Sequence, residues 1–165
     1  MRKNLLVLVM SAALLFGLAP SAGAESQTVD GTGDIRKMYA ANRERSILVK
    51  VFGIGQPCDE AHFVHIIVKW GQTAAYKVEA GCYPGNTWAE SLYYLSDRSD
   101  PETAVEVNCS DWKLTYNADK VFHRALLPRT CIRKAANRVK VLSEGHNYPS
   151  AMGGEAGPTK RLARG

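Results

Sequence analysis

Four histidines are the residues of this sequence best suited to bind a transition metal or to transfer protons near neutral pH. His62 and His65 lie three positions apart in an alternating apolar segment, so a strand there would direct their side chains to opposite faces. His123 and His146 follow much later in the chain. The spacing therefore predicts surface or core histidines, and we expect neither a metal site nor a cofactor.

Carboxylates gather in two segments where they could bind calcium or act in hydrolysis. Asp97, Asp100 and Glu102 lie in "SDRSDPE", and Asp30 and Asp34 lie in "DGTGD". Neither segment has the spacing of an EF-hand loop, and both are rich in residues that turns prefer. No nucleophile elbow, zinc-protease or P-loop motif occurs in the chain. We predict turns and no catalytic residue, with a hydrolase that uses loop carboxylates as the alternative.

Aromatic rings could instead contact a sugar or peptide, and several lie in "GCYPGNTWAESLYY" at 81–94. Tyr83 and Trp88 are predicted in an irregular loop, where a ring can be presented to a ligand, with core packing an equal alternative. Tyr93 and Tyr94 are adjacent in a predicted strand, so one should pack inward and the other outward. With three basic residues from a later loop, the candidate ligand-binding residues are Tyr83, Trp88, Tyr93, Tyr94, Arg129, Arg133 and Lys134.

The first 24 residues have the composition of a secretory signal peptide. Two basic residues precede an apolar run over 5–18, and small residues lead to a cleavage site after Ala24. The run is shorter than the roughly 20 residues that span a membrane. We expect Sec-type export, no membrane anchor after cleavage, and a single secreted domain over 25–165 with a polar C-terminal tail.

Cys58, Cys82, Cys109 and Cys131 make an even count, which predicts two disulfides in an exported chain. Three pairings are possible, and the absence of a C-x-x-C pair disfavours zinc. The spacing favours Cys58–Cys82 and Cys109–Cys131. In the chain-entropy model each bond would stabilise the fold by about 3 kcal/mol.

Apolar and polar residues alternate along most of the chain, and no segment shows helical periodicity. Short strands separated by turn residues predict an all-β protein, an antiparallel β-sandwich of Ig-like or jelly-roll-like type with about eight or nine strands. The predicted strands are 34–40, 46–53, 62–70, 73–80, 91–95, 103–109, 112–117, 120–127 and 137–143.

One hairpin register can be predicted as well. A loop over 71–73 pairs Val68 with Tyr76 and Ile66 with Val78, whereas a loop one residue shorter would place charged residues on the buried face. The same alternation directs four aromatic side chains towards the core: Trp70, Tyr76, Trp112 and Tyr116.

Charge is unevenly distributed, because ten basic residues follow from Lys120 onward against only Glu144 and Glu155. This asymmetry suits contact with an anionic polymer, although solvated strand faces and a polar tail explain it equally simply. Nucleic acid is a poor candidate partner for an exported chain that has no aromatic and basic recognition motif.

Three segments together resemble a known group of proteins: "TGDIRKMYAANRERSILVKVFG", "LPRTCIRKAANRVKVLSE" and "GEAGPTKRLARG". The arrangement is similar to that of small exported proteins of high-GC Gram-positive bacteria, especially actinobacteria. The resemblance implies a secreted β-sandwich, matches Cys109 and Cys131 to a late cysteine pair, and makes Cys58 and Cys82 an additional bridge. It carries over no catalytic residue.

These observations favour a secreted, non-catalytic binding or interaction module. Its ligand is unidentified, and an anionic or glycan polymer of the cell envelope or a protein partner would fit. Two alternatives stay open, namely a hydrolase of envelope polymer and a structural envelope protein that assembles through its edge strands.

Overall fold

The computed structural model describes residues 23–54, 62–83, 87–147 and 152–165. Within them the chain forms strands and one short 3-10 turn at Pro101–Thr103, and it has no α-helix. The strands are β1 (Glu25–Asp30), β2 (Lys37–Asn42), β3 (Ser46–Phe52), β4 (His62–Lys69), β5 (Ala75–Tyr83), β6 (Thr87–Leu95), β7 (Ala104–Glu106), β8 (Lys113–Asn117), β9 (Phe122–Pro128), β10 (Arg138–Asn147), β11 (Met152–Ala156) and β12 (Leu162–Ala163).

The strands form two sheets. The first sheet has the order β1-β2-β3-β9-β8, and the second has the order β11-β10-β4-β5-β6-β7 with β12 added beside β10. Neighbouring strands are antiparallel throughout. The prediction of an all-β, antiparallel protein is therefore confirmed. No helix in the described ranges is long and apolar enough to cross a membrane.

The β4–β5 hairpin has the predicted register, with Val68 opposite Tyr76 and Ile66 opposite Val78. Gly71 in the connecting loop has φ of 62°, a left-handed conformation that glycine adopts without strain. The register places Val64, Ile66 and Val68 of β4 and Val78 of β5 on the buried face. Each of these side chains is worth about 1.5–3 kcal/mol of burial free energy.

Both sheets contribute to one buried core. Val49 and Leu127 come from the first sheet, and Ile66, Val78 and Val141 come from the second; all five are fully buried. They occupy alternate positions of their strands, so the intervening side chains point away from the core. The second sheet therefore has an outer face, defined here as the face of that sheet opposite the core.

The C-terminal segment, expected to be a polar tail, forms β11 and β12 against β10. Leu162 is fully buried there. The amide group of Asn42 donates hydrogen bonds of 2.9 Å to the carbonyls of Asn137 and Leu162. The two strands escaped prediction because they are short and lack clear alternation, so tertiary contacts decide their structure.

Cys109 and Cys131 form a disulfide, as the spacing predicted. Cys131 is buried beside the core, and the bond ties the segment after β7 to the loop after β9. The second predicted bond includes Cys58, which lies outside the described residues, as do residues 1–22 of the signal peptide predicted over 1–24. Those two expectations stay predictions.

Candidate functional site

Three titratable side chains lie side by side on the outer face. Glu144 of β10 is directly opposite His65 of β4, and His65 is directly opposite Glu79 of β5. Each alternates with buried neighbours in its strand, which is why all three point away from the core. His146 lies two residues beyond Glu144 on the same strand and face.

The side chains of this group are within contact distance of one another. Nε2 of His65 lies 3.3 Å from a carboxylate oxygen of Glu79, and its Nδ1 lies 3.9 Å from one of Glu144. Nε2 of His146 lies 3.7 Å from the same Glu144 oxygen. The two imidazole rings have centroids 4.7 Å apart. One donor atom from each of His65, Glu144 and His146 lies within 4.8 Å of the other two, which is a spacing that a metal ion could bridge.

The charges of the group stabilise one another. Burial alone would lower the pKa of His65, but its contacts with the carboxylates of Glu144 and Glu79 outweigh burial and raise that pKa. The hydrogen bond to His65, assisted by Lys77 at 2.8 Å, lowers the pKa of Glu79 to about 2. The pKa of Glu144 is lowered as well, mainly by its contact with His65. Both carboxylates are therefore ionised at neutral pH.

A basic row lies beside this group. Lys69 of β4 is directly opposite Lys140 of β10. Burial lowers the pKa of Lys69, and the positive charges of Arg98 and Lys140 lower it further. Lys69, Lys140 and Arg98 together are called the basic row here. None of these three residues forms an ion pair within the described part of the chain. Like charges placed opposite each other in a sheet are destabilising, so this row costs the fold free energy.

A pocket of about 240 Å³ adjoins the histidine group. Its lining includes His65 and Glu144 of that group together with Lys77, Arg98 and Pro101. The loop after β6 forms part of its wall, and the backbone N–H of Arg98 donates to the carbonyl of Thr73 at 2.9 Å. The pocket thus has both cationic and anionic walls.

The carboxylates of that loop form turns, as predicted. The side chain of Asp97 accepts hydrogen bonds from the backbone N–H and hydroxyl of Ser99, at 2.9 and 2.6 Å. The side chain of Asp100 accepts from the backbone N–H of Glu102 at 3.0 Å. Local hydrogen bonds of this kind are typical of Asp side chains in turns, and they stabilise the loop that contains Arg98.

Tyr93 and Tyr94 divide between the two faces of β6, as predicted. Tyr94 packs against Trp70 and Tyr76 beside the core, and Nζ of Lys134 lies 3.9 Å from its ring centroid. Tyr93 is on the outer face, where Nζ of Lys77 lies 5.4 Å from its ring centroid. Tyr93 is thus the aromatic candidate that accompanies the histidine group.

The prediction of a loop at Tyr83 and Trp88 is wrong. β5 continues to Tyr83 and β6 begins at Thr87, so both residues belong to paired strands. The ring of Trp88 packs against the core and lies parallel to the ring of His123. The Pro-Gly pair at 84–85 suggested an irregular connection, whereas cross-strand pairing extends both strands towards it.

The four aromatics predicted to point inward do so to different extents. Tyr76 is buried, Trp70 and Trp112 are partly buried against the core, and Tyr116 is partly buried with its ring 4.9 Å from His123. Ring size explains the incomplete burial of the larger side chains, because tryptophan is seldom fully enclosed.

The three basic candidates do not form one surface with Tyr93. The Arg129 guanidinium donates to the side chain of Asn42 and to the carbonyls of Ala135 and Ala136, which makes it part of the scaffold. Arg133 is exposed and donates to the carbonyl of Thr130 at 2.9 Å. Lys134 covers Tyr94 instead of the outer face.

A larger depression of about 470 Å³ lies at the edge of the second sheet near the disulfide. Its lining includes Glu90, Glu106, Asn108 and Trp112. Among the described lining residues there is no histidine, lysine or arginine to work with the carboxylates. The outer face is therefore the better candidate site.

Sequence reasoning missed the residues of the outer face because it compared His65 only with its neighbour His62. A local signal was present, since Glu144 and His146 are two apart just beyond the predicted strand 137–143, and a strand that continued through them would place both on one face. That signal does not reveal that β10 lies beside β4. Comparison of the sequence with protein-family models and with curated proteins finds no match.

Proposed function

We propose that the protein is a secreted, non-catalytic binding module, a β-sandwich that binds an anionic polymer of the cell envelope through its outer face. The single observation that carries this proposal is the group of cations Lys69, Lys140 and Arg98, which have no ion-pair partner among the described residues and of which Arg98 lines a pocket. An anionic group seated there would offset the mutual repulsion of the three charges.

Other features support the proposed fold and the proposed export of the protein. The core shared by two antiparallel sheets is what a β-sandwich requires, whether Ig-like or jelly-roll-like. The Cys109–Cys131 bond is typical of an oxidising compartment, in keeping with a signal peptide at 1–24 and a second bond at Cys58–Cys82. The resemblance to small exported actinobacterial proteins fits the same setting.

A carboxylate-based hydrolase is the less favoured alternative. Such an enzyme needs a carboxylic acid that is still protonated at working pH, which requires a raised pKa. Among the loop carboxylates of that alternative, hydrogen bonds from Ser99 instead lower the pKa of Asp97. On the outer face the pKa values of Glu79 and Glu144 are lowered as well, mainly by His65. These three carboxylates would be ionised and unable to act as general acids, which favours binding over catalysis.

The test measures binding of the mature chain to an isolated envelope fraction and to polyphosphate as a defined polyanion. The double variant Lys69→Gln/Lys140→Gln should weaken binding by about tenfold or more, because charge-assisted contacts are lost. The control variant Lys113→Gln/Lys120→Gln removes the same charge from exposed positions of β8 and its hairpin. Equal weakening by both variants would show that net charge, not the outer face, is responsible and would overturn the proposal.

A further inference from the structure

We infer that His65, Glu144 and His146 form a binding site for a divalent transition-metal ion, with zinc the best-suited ion. Two imidazoles and one carboxylate are a donor set that suits zinc, copper and nickel, whereas calcium and magnesium prefer oxygen ligands alone. The inference stands apart from the anionic-ligand proposal, because binding of the ion can be measured without any polymer.

To bind a metal ion, the side chains of His65, Glu144 and His146 would have to move only slightly closer together. Zinc ligands at about 2.0–2.2 Å from a tetrahedral ion lie about 3.4 Å from one another. The Glu144 carboxylate lies 3.9 Å from Nδ1 of His65 and 3.7 Å from Nε2 of His146. All three residues sit on paired strands, so their backbones are already held in place and rotation about side-chain bonds suffices.

Glu79 holds His65 in the orientation that metal binding needs. It accepts from Nε2 of His65 at 3.3 Å, which leaves Nδ1 turned towards Glu144. Metal-bound histidines commonly donate their second ring N–H to a carboxylate in this way, and the carboxylate selects the tautomer. Lys77, 2.8 Å from the same Glu79 oxygen, keeps that carboxylate in position.

His146 supplies an independent indication. Its Nε2 is buried and has no hydrogen-bond partner in the described part of the chain, although it points to the shared Glu144 oxygen. A buried polar atom without a partner is destabilising, because it has lost its hydrogen bonds to water. A bound ion would give this nitrogen a partner and would remove that cost.

Three protein ligands leave at least one coordination position for water or a ligand atom. His65 and Glu144 also line the pocket of about 240 Å³, so that open position would be next to it. The site therefore has the character of an open metal site and differs from a closed structural one, in which the protein supplies all four ligands.

The test titrates the mature protein, freed of metal by a chelator, with zinc ions in a calorimeter. We expect one ion per chain, and Glu79→Gln should weaken binding by about 10- to 100-fold as loss of an orienting carboxylate does. Glu144→Gln and His146→Gln each remove a ligand and should weaken binding at least as much. Cobalt substituted for zinc should give the visible absorption of a tetrahedral site, which Glu144→Gln abolishes.

Glu106→Gln is the matched control, because it removes a carboxylate from β7 of the same sheet without touching the group. Thermal unfolding without metal separates lost binding from lost folding in each variant. Absence of one-to-one binding at micromolar zinc, or binding that Glu144→Gln and His146→Gln leave unchanged, overturns the inference. Lys69→Gln/Lys140→Gln should retain zinc binding, so this proposal and the anionic-ligand proposal can fail separately.

Discussion

Trp88 and His123 lie parallel to each other across the core, with ring centroids 6.0 Å apart and planes within 1°. Trp88 belongs to β6 of the second sheet, and His123 belongs to β9 of the first. His123 is buried, and neither of its ring nitrogens makes a well-formed hydrogen bond to a described residue, although the backbone at Ile54 favours its charged form. His123 therefore packs as a neutral aromatic ring that joins the two sheets.

The burial of His123 predicts a loss of stability in mild acid. Burial lowers its pKa from 6.5 to about 4, so the unfolded chain takes up a proton at a higher pH than the folded chain does. The contribution of His123 to stability is complete above about pH 6.5 and declines as the pH falls towards 4, by about 3 kcal/mol in all. Urea unfolding between pH 4 and 7.5 measures this decline.

His123→Phe is the control for that experiment, because it keeps an aromatic ring and removes the titrating group. The other ionisable groups are common to both proteins, so the difference between the two curves reports His123. Parallel stability curves for the wild type and His123→Phe over this pH range would contradict the prediction.

Trp88→Ala should destabilise the fold, because its ring packs against the core and beside His123. We expect the free energy of unfolding to fall by about 2 kcal/mol or more, somewhat below the cost for a fully buried tryptophan. Urea unfolding measures the change, and Trp88→Phe should recover much of the loss. Stability equal to that of the wild type would return Trp88 to the candidate ligand-binding residues.

Replacing both Cys109 and Cys131 with Ser should lower the free energy of unfolding by about 3 kcal/mol, because the bond closes a loop between residues 22 positions apart. Reduction of the wild-type protein should destabilise it by at least as much. Mass spectrometry without reduction should find the Cys109–Cys131 peptide pair, and should find Cys58–Cys82 if the second predicted bond forms. A free thiol at Cys109 would contradict the observed pairing.

Local pattern was sufficient for much of the fold. In the β4–β5 hairpin, one register buries Ile66 and Val78 while the alternative buries charge, so the energy difference is large enough to decide from sequence. For β12 no such contrast exists, since a two-residue strand has no period to recognise. Its burial at Leu162 depends on the partner strand β10.

The division at Tyr93 and Tyr94 was also predictable, because adjacent strand residues must face oppositely. The position of Trp88 in a paired strand was not predictable in this way. The predicted strands ended at 80 and resumed at 91, so that Trp88 fell in the loop between them. Cross-strand pairing of Cys82 with Trp88 carries the ladder further than the residues near the Pro-Gly pair suggested. Hydrogen bonds between the strands therefore extend the pairing into positions that the local pattern assigned to a loop.

By itself the sequence determined which residues are buried in the strands that alternate clearly, such as β4 and β5, and it favoured the pairing of Cys109 with Cys131. Only the tertiary structure decided that β10 lies beside β4, which brings Glu144 and His146 to His65 and Lys140 to Lys69. The physical reason is that alternation specifies the face of each side chain, whereas every strand offers the same backbone donors and acceptors to any neighbour. Strand order is decided by the packing of the whole core, and the candidate site follows from that order.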